Sequence, residues 1–344
     1  MKRIGFVSLG SAGTMGHWSM IKKTISEIDV EGVEIYVFSE YDYEKYSDCL
    51  DKDVEFVKLP KVGDMDTLAG NLDYRYKEEF LQKVRDKEIT HMFFSTFFDH
   101  ELVESLDVKK YLVSYPIRDT YMKYFYGKNF QKLFDRVFLF NDVSEIPFEK
   151  ELENTELVEP VLYNKRKDSE RDQVLITMGG GGLPSAKKFS KKVSGMIKEL
   201  KDKKGLKFKV ISGAYNDQSF ENLPNTEVTE WVNDIQEEYD KSLFVVSEAG
   251  YWTVHEMIEN QLPGVLVPGK RDIDNQELRA VNWELKDLGF CMLPGSKDGE
   301  LVEKVEKMFE NQKMLEKFSK NSLRILNHRK KGLTIKEGIK EVLM

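Results

Sequence analysis

Cysteine is nearly missing from this sequence: Cys49 and Cys291 are the only two in 344 residues. They stand far apart and without metal-ligand spacing, which argues against a disulfide scaffold and suits a reducing compartment. Long apolar runs are missing as well. No stretch reaches the ~18 consecutive apolar residues that a membrane-spanning helix requires. The opening Ile4-Gly5-Phe6-Val7-Ser8-Leu9 is too short for the core of a secretion signal. A soluble, cytoplasmic protein is expected, with peripheral contact at the inner face of the cell membrane left open. Positive charge is not in excess either. The formal net charge is −8, so no global basic field gathers nucleic acid, and any anionic ligand must be held locally.

What is present fits about two domains, because single cores stop growing at ~250–300 residues. Apolar residues make up 40% and charged residues 33%, enough to fill cores under a solvated surface. Short apolar runs alternate with helical patterns, the signature of βα units on parallel sheets, so the fold class is α/β. The first half predicts strands at Ile4–Leu9, Val33–Phe38, Val54–Leu59, His91–Phe94, Tyr111–Tyr115 and Arg136–Phe140. The second predicts Val174–Met178, Lys207–Ser212, Leu243–Val246, Val265–Val267 and Phe290–Leu293. Trp18, Ile21, Ile25 and Ile28 form one helical stripe, and Ala186, Phe189, Val193, Met196, Ile197 and Leu200 form another. Between Pro160 and Arg171 the chain turns charged and strand-poor, as linkers do. The expected division is therefore 1–160, a linker at 161–171, a second domain at 172–325 and a C-terminal helical segment at 326–344.

Each half opens with a strand that runs into a glycine-rich turn. The first reads Gly10-Ser11-Ala12-Gly13-Thr14-Met15-Gly16-His17; the second reads Gly179-Gly180-Gly181-Gly182-Leu183-Pro184. Such glycines either make tight βα turns or let backbone N–H groups at a helix N-terminus approach an anion. A dinucleotide fingerprint is lacking, because Gly10 and Gly13 do not give Gly-x-Gly-x-x-Gly. No Gly-Lys-Ser/Thr follows either turn, which argues against a Walker loop.

Three further segments belong together: Val228 to Ile235, Ser247 to Glu256, and Leu262 to Pro268 followed by Asp274-Asn275-Gln276. In order and spacing they resemble the MurG group of GT-B glycosyltransferases, with its patterns V-T-x-(F/W)-(I/V)-x-D, S-R-x-G-x-x-T-v-x-E, G-x-P-x-(I/L)-x-V-P and D-x-Q. The resemblance spans most of residues 172–290. It is thinner in the first half, where Gly13, Thr14, Gly16 and His17 echo the family's G-G-T-G-G-H. It implies two Rossmann-like parallel-sheet domains facing across a cleft. The first would bind the acceptor and the second a UDP-sugar, with the final helix able to cross back to the first. Members of that group move N-acetylglucosamine from UDP-N-acetylglucosamine onto a lipid-linked acceptor.

The resemblance assigns roles residue by residue. Glu256 would fork onto the ribose diol, since an ionised carboxylate offers two acceptor oxygens. Gly180, Gly181, Gly182, Ser247 and Gly250 would meet the diphosphate, with Tyr251, Trp252 and Thr253 beside them. Trp231, Val232 and Ile235 would border the uracil, although apolar residues there are otherwise simply core. Asn275 and Gln276, expected on a loop, would read sugar hydroxyls. His17 would act as general base, a role that suits an imidazole with pKa near neutrality and that would invert the anomeric centre. By their places just beyond strands of the first half, and not by the resemblance, Thr96 and Asp99 would reach the interdomain cleft, and Arg118 and Asp119 would touch the acceptor. The transfer would need no metal or other cofactor; the pairs Asp64/Asp66 and Asp272/Asp274 arise easily in so acidic a chain. The sequence also departs from the pattern: Met15 and Ala12 replace glycines, Glu248 replaces the arginine beside the diphosphate, and Tyr251-Trp252 is bulky.

Between Phe130 and Val137 the chain places Phe130, Leu133, Phe134 and Val137 on one helical face, with Lys128, Lys132 and Arg136 on another. Either a helix packed on the sheet or one lying on an anionic membrane satisfies that pattern. Two other functional classes stay open: a nucleotide-sugar epimerase on the same fold, and a nucleotide-sugar-binding protein without chemistry.

Overall fold

The computed structural model describes residues 1–9, 15–44, 47, 50, 52–61, 72–117, 130–143, 154–160, 167, 169–216, 220, 222–271, 273–293, 295–329 and 332–344. Of the residues singled out above, Gly10, Ser11, Ala12, Gly13, Thr14, Cys49, Asp64, Asp66, Arg118, Asp119, Lys128 and Asp272 lie outside them, as does most of the charged linker.

The first lobe contains β1 (Lys2–Ser8), α1 (Gly16–Ser26), β2 (Val33–Ser39), β3 (Val54–Lys58), α2 (Tyr74–Asp86) and β4 (His91–Ser95). It continues with α3 (His100–Glu104), β5 (Lys109–Ser114), a 3-10 turn (Phe130–Leu133), β6 (Arg136–Phe140) and β7 (Thr155–Val158). Its seven strands are ordered β3-β2-β1-β4-β5-β6-β7, and every adjacent pair is parallel. The second lobe contains β8 (Gln173–Thr177), α4 (Pro184–Glu199), β9 (Phe208–Ile211), β10 (Thr226–Thr229), α5 (Gln236–Lys241) and β11 (Ser242–Ser247). After these come α6 (Tyr251–Glu259), β12 (Gly264–Leu266), α7 (Gln276–Leu285), β13 (Gly289–Cys291), α8 (Asp298–Phe309), α9 (Gln312–Arg329) and α10 (Ile335–Leu343). Its sheet is ordered β10-β9-β8-β11-β12-β13, again parallel throughout.

Parallel strands covered on both faces carry unbroken apolar runs, and the interiors of β1, β4, β6, β8 and β11 are buried accordingly. In α1 the stripe of Trp18, Ile21 and Ile25, with Ile28 just beyond, is buried. Each such side chain contributes about 1.5–3 kcal/mol, and Trp18 stacks on Tyr43 at 5.2 Å. The α4 stripe from Ala186 to Leu200 is likewise buried.

Three expectations need correcting. Phe130 to Val137 is not an amphipathic helix: it is one 3-10 turn leading into β6, and Phe130, Phe134 and Val137 are buried in the first lobe's core. A membrane face there is excluded, because the residues that would form it are used against the sheet. Asn275 and Gln276 are not on a loop; Asn275 caps α7, its Oδ1 accepting from Leu278 N at 3.3 Å, and Gln276 is the first helical residue. The strands β7 and β10 were not anticipated. Their polar, half-exposed sequences Thr155–Val158 and Thr226–Thr229 lie at the sheet edges, where alternation is weak.

The chain ends on the first sheet. Ile335, Ile339 and Leu343 of α10 are buried in one cluster with Ile4, Phe138 and Phe140. Gly338 sits so close that a Cβ would lie 2.5 Å from the Phe138 ring. A second tie joins the lobes behind β6. Arg279 of α7, fully buried, donates from Nε to Asp142 at 3.0–3.2 Å and from Nη1 to the Ala249 carbonyl at 2.8 Å. Its Nη1 also pairs with Asp274 at 2.8 Å. Burial pushes the Asp142 carboxyl up, but the Arg279 guanidinium and neighbouring His255 more than reverse this and hold it well below the usual carboxylate range.

Candidate active site

Both sheets wind outward from an interior strand and then restart on its other side. In the first lobe the reversal falls between β1 and β4; in the second it falls between β8 and β11. Loops leaving the C-terminal ends of strands part at such a point and leave a crevice, where open α/β sheets bind ligands.

His17 occupies the first crevice. It follows β1, stands in the first turn of α1, and its Nδ1 lies 3.2 Å from Ser95 Oγ at the end of β4. The ring packs 5.0 Å from Phe97 and is 5% exposed. Burial pushes its pKa down to about 4, against a smaller upward pull from Ser95, so the imidazole is neutral at pH 7. With Nδ1–H donating to Ser95, Nε2 keeps a lone pair. Gly16 stands beside it, and a Cβ there would meet nothing within 4 Å.

Thr96 and Asp99 share this neighbourhood but do not line an open cleft, since both are fully buried. Asp99 caps α3 through Leu102 N at 2.8 Å and pairs with Lys77 at 3.4 Å. Thr96 takes φ = 63° at the tight exit from β4. Their pattern marks structure, not acceptor contact.

The second crevice holds the glycine turn. Gly181 has φ = 78°, and a Cβ on it would lie 2.8 Å from the Ser212 carbonyl. Only glycine fits that approach. The turn is pinned by Tyr215 N donating to the Gly180 carbonyl at 2.8 Å. Gly180 and Gly182 are half-exposed there. The turn delivers the chain to α4, whose Leu183 cap makes no side-chain hydrogen bond. Beside it, Gly250 is the equally uncapped N-cap of α6. Two helix N-termini without side-chain caps thus open at neighbouring strands, a suitable setting for an anion, with more free N–H groups at α6 than at α4, where Pro184 has none and Ala186 N donates to the Leu183 carbonyl at 2.9 Å.

Glu256 lies one turn into α6 with its side chain 20% exposed. It is not free, as the sequence suggested. Tyr239 Oη donates to Oε2 at 2.9 Å, and Lys23 of α1 reaches across from the first lobe to Oε1 at 3.1 Å. Burial and the adjacent Glu256 charge raise the Tyr239 pKa well above its ordinary value, so it remains a donor. Thr253 is half-exposed on the same helix.

Other expected donor residues are placed differently. Ser247 is buried and its hydroxyl donates to the Thr177 carbonyl at 2.9 Å, so it ties β11 to β8. Tyr251 and Trp252 turn into the first lobe's core: Tyr251 stacks on Tyr115 at 5.2 Å and donates to the Asn141 carbonyl at 2.5 Å. They join the lobes and do not wall a nucleotide pocket. Gln276 is buried, and its Oε1 accepts from Gly269 N at 2.9 Å. Trp231 is half-buried, not core, with Nε1 donating to Asn233 at 3.0 Å. Val232 and Ile235 are half-buried next to it.

Lys23 and Arg271 were missed by sequence reasoning. Lys23 carries no motif, and only the docking of α1 on α6 reveals it. Arg271 donates from Nη2 to Glu248 at 2.6 Å. Burial raises the Glu248 pKa against the opposing pull of that guanidinium. Among the described residues no group of three His, Cys, Asp or Glu is placed to hold a metal ion, and no helix is long and apolar enough to cross a membrane.

Two facing parallel-sheet lobes with crevices at their switch points define the GT-B class. Solved structures share this fold along the whole chain. Acinetobacter baumannii MurG is similar at TM-score 0.64 and 12% identity, covering 99% of each chain. The rhamnosyltransferase SpnG, complexed with thymidine diphosphate, is similar at TM-score 0.73 and 10% identity, covering 100% of each. Residues 174–339 match the model of the glycosyltransferase family 28 C-terminal domain. A UDP-N-acetylglucosamine--N-acetylmuramyl-(pentapeptide) pyrophosphoryl-undecaprenol N-acetylglucosamine transferase of Rickettsia bellii is 30% identical over 193 residues, 53% of each chain. The namesake from Sulfurihydrogenibium is 33% identical over 118 residues, 34% of this chain and 33% of its own length. The chain thus spans about half or less of the length of the curated relatives it matches.

Proposed function

We propose that the chain is an inverting, metal-independent glycosyltransferase. It moves a sugar, N-acetylglucosamine or a related hexose, from a UDP-sugar to a hydroxyl of a lipid-linked cell-envelope precursor. The observation that carries this reading is the facing of two unlike crevices: a buried neutral His17 at one switch point, two uncapped helix N-termini and Glu256 at the other. The similarity of the second lobe to UDP-N-acetylglucosamine transferases supports the donor.

In this reading the diphosphate lies at the N-termini of α4 and α6, whose N–H groups balance the charge that develops as it leaves. The ribose diol takes Glu256, exchanging with Lys23 for one carboxylate oxygen. The acceptor hydroxyl enters over His17, whose Nε2 removes its proton as the oxygen attacks the anomeric carbon from the face opposite the leaving diphosphate. A buried imidazole resists protonation. Negative charge on the departing diphosphate offsets that resistance as the proton arrives.

The test is a turnover assay with UDP-sugars and a panel of acceptors, prenyl-linked glycans included. UDP release that requires an acceptor, an inverted product by NMR and unchanged rates in EDTA are expected. Sugar interconversion without acceptor would point instead to an epimerase. UDP binding with no turnover on any acceptor would point to a non-catalytic binder.

A further inference from the structure

We propose that Arg271 is the side chain that meets the donor's diphosphate, with Glu248 as the residue that positions it. The inference rests on the UDP-sugar reading above and names a residue for it. A carboxylate at position 248 beside a diphosphate would repel it, and the structure shows how that conflict is met. Glu248 leaves the end of β11 and is 6% exposed, and its Oε2 accepts from Arg271 Nη2 at 2.6 Å. The place is the second lobe's crevice. A Cβ on Gly269 would lie 2.3 Å from Glu248 Oε1 and 3.0 Å from Ser185 Oγ, and Ser185 stands in the first turn of α4. Glu248 and Ser185 meet at this point, and a hydrogen bond from Ser185 together with the Arg271 guanidinium steadies the Glu248 carboxylate.

Arg271 itself is not sealed in. Its side chain is 17% exposed, and among the described residues it pairs with Glu248 alone. A guanidinium carries five N–H donors in a planar fork that matches phosphate oxygens two at a time. One donor anchors Arg271 to a buried carboxylate that fixes its orientation; the others remain for a ligand at the α4 N-terminus. Glu248 therefore does not face the phosphate. It carries the cation that does.

The experiment measures affinities for uridine and UDP by calorimetry. The wild type is expected to prefer UDP. Arg271→Ala should lower UDP affinity by about tenfold or more, as loss of a charge-assisted contact does, and leave uridine within about twofold. Glu248→Gln should give a smaller loss, again for UDP alone. Glu256→Ala should weaken both ligands together. If Arg271→Ala keeps the wild-type UDP-to-uridine ratio, the assignment is overturned while the donor reading stands. If the wild type binds neither ligand, the donor reading falls and takes this proposal with it. Should Arg271→Ala fail to fold, Arg271→Gln is read against the same ratio.

Discussion

The two switch points share a topology and differ in polarity. At each, a strand is followed by a glycine-rich sequence and a helix, two more strands extend the sheet on one side, and the strand after those restarts on the other. In the first crevice the His17 imidazole is buried against Phe97, so it is dry and neutral. The second is edged by paired charges, Glu248 with Arg271 and Glu256 with Lys23, that keep partial access to solvent. Topology decides where a ligand can lie; burial decides which chemistry is possible there. A dry base suits proton abstraction, whereas paired, reorganisable charges suit a nucleoside diphosphate that must bind and leave.

The sharpest way to break this comparison is at His17. His17→Ala should slow turnover by about 10²–10⁴-fold, the usual worth of a positioned base, with UDP affinity unchanged. Steady-state kinetics beside calorimetry would show it, and equal kcat for variant and wild type would remove the contrast between the crevices. Next comes the joint that makes the crevices face each other. Arg279→Ala leaves the buried Asp142 carboxylate without its guanidinium partner and should cost about 3–5 kcal/mol, read as a lowered Tm and, because the lobes lose register, a loss of turnover.

The dry character of the first crevice predicts an acid response. His17 and His255 have folded pKa values of about 4 and about 3, each below the unfolded value near 6.5, with burial the leading cause. Groups depressed in this way contribute stability that is full above the unfolded pKa and lost as pH falls through the folded one. Stability should therefore decline between about pH 6.5 and 4, by about 3 kcal/mol per histidine. His17→Asn should flatten part of that decline in chemical denaturation; an unchanged profile would contradict the dry crevice. The smallest effect belongs to the second crevice. Glu256→Gln keeps the shape of the side chain but lowers the strength of its hydrogen bonds, so UDP-sugar KM should rise about tenfold with kcat nearly unchanged. A fall in kcat alone would move Glu256 from binding to chemistry.

Much of the fold was legible because buried parallel strands write themselves as apolar runs. Strands such as β6 and β11 were found to within a residue or so. The edge strands β7 and β10 escaped because half their residues face solvent. The segment from Phe130 to Val137 misled for a related reason: its apolar residues fit a helical face, yet pairing of β6 with β5 and β7 takes Arg136 to Phe140 into the sheet. Among site residues, the glycines, His17 and Glu256 stood out by motif. Ser247, Tyr251, Trp252 and Gln276 stood out too, but serve as ties between strands, lobes and loops.

Sequence alone determined the doubling of the α/β plan, the glycine turn after β8 and the ordered motifs of the second half. These are local patterns: period, turn chemistry and spacing along one stretch of chain. Only the tertiary structure decided that Lys23 meets Glu256, that Arg271 holds Glu248, and that Asp142 and Arg279 lock the lobes. Each of those pairs joins residues from different loops or lobes, and electrostatic partnership depends on distance in space, which no spacing along the chain encodes.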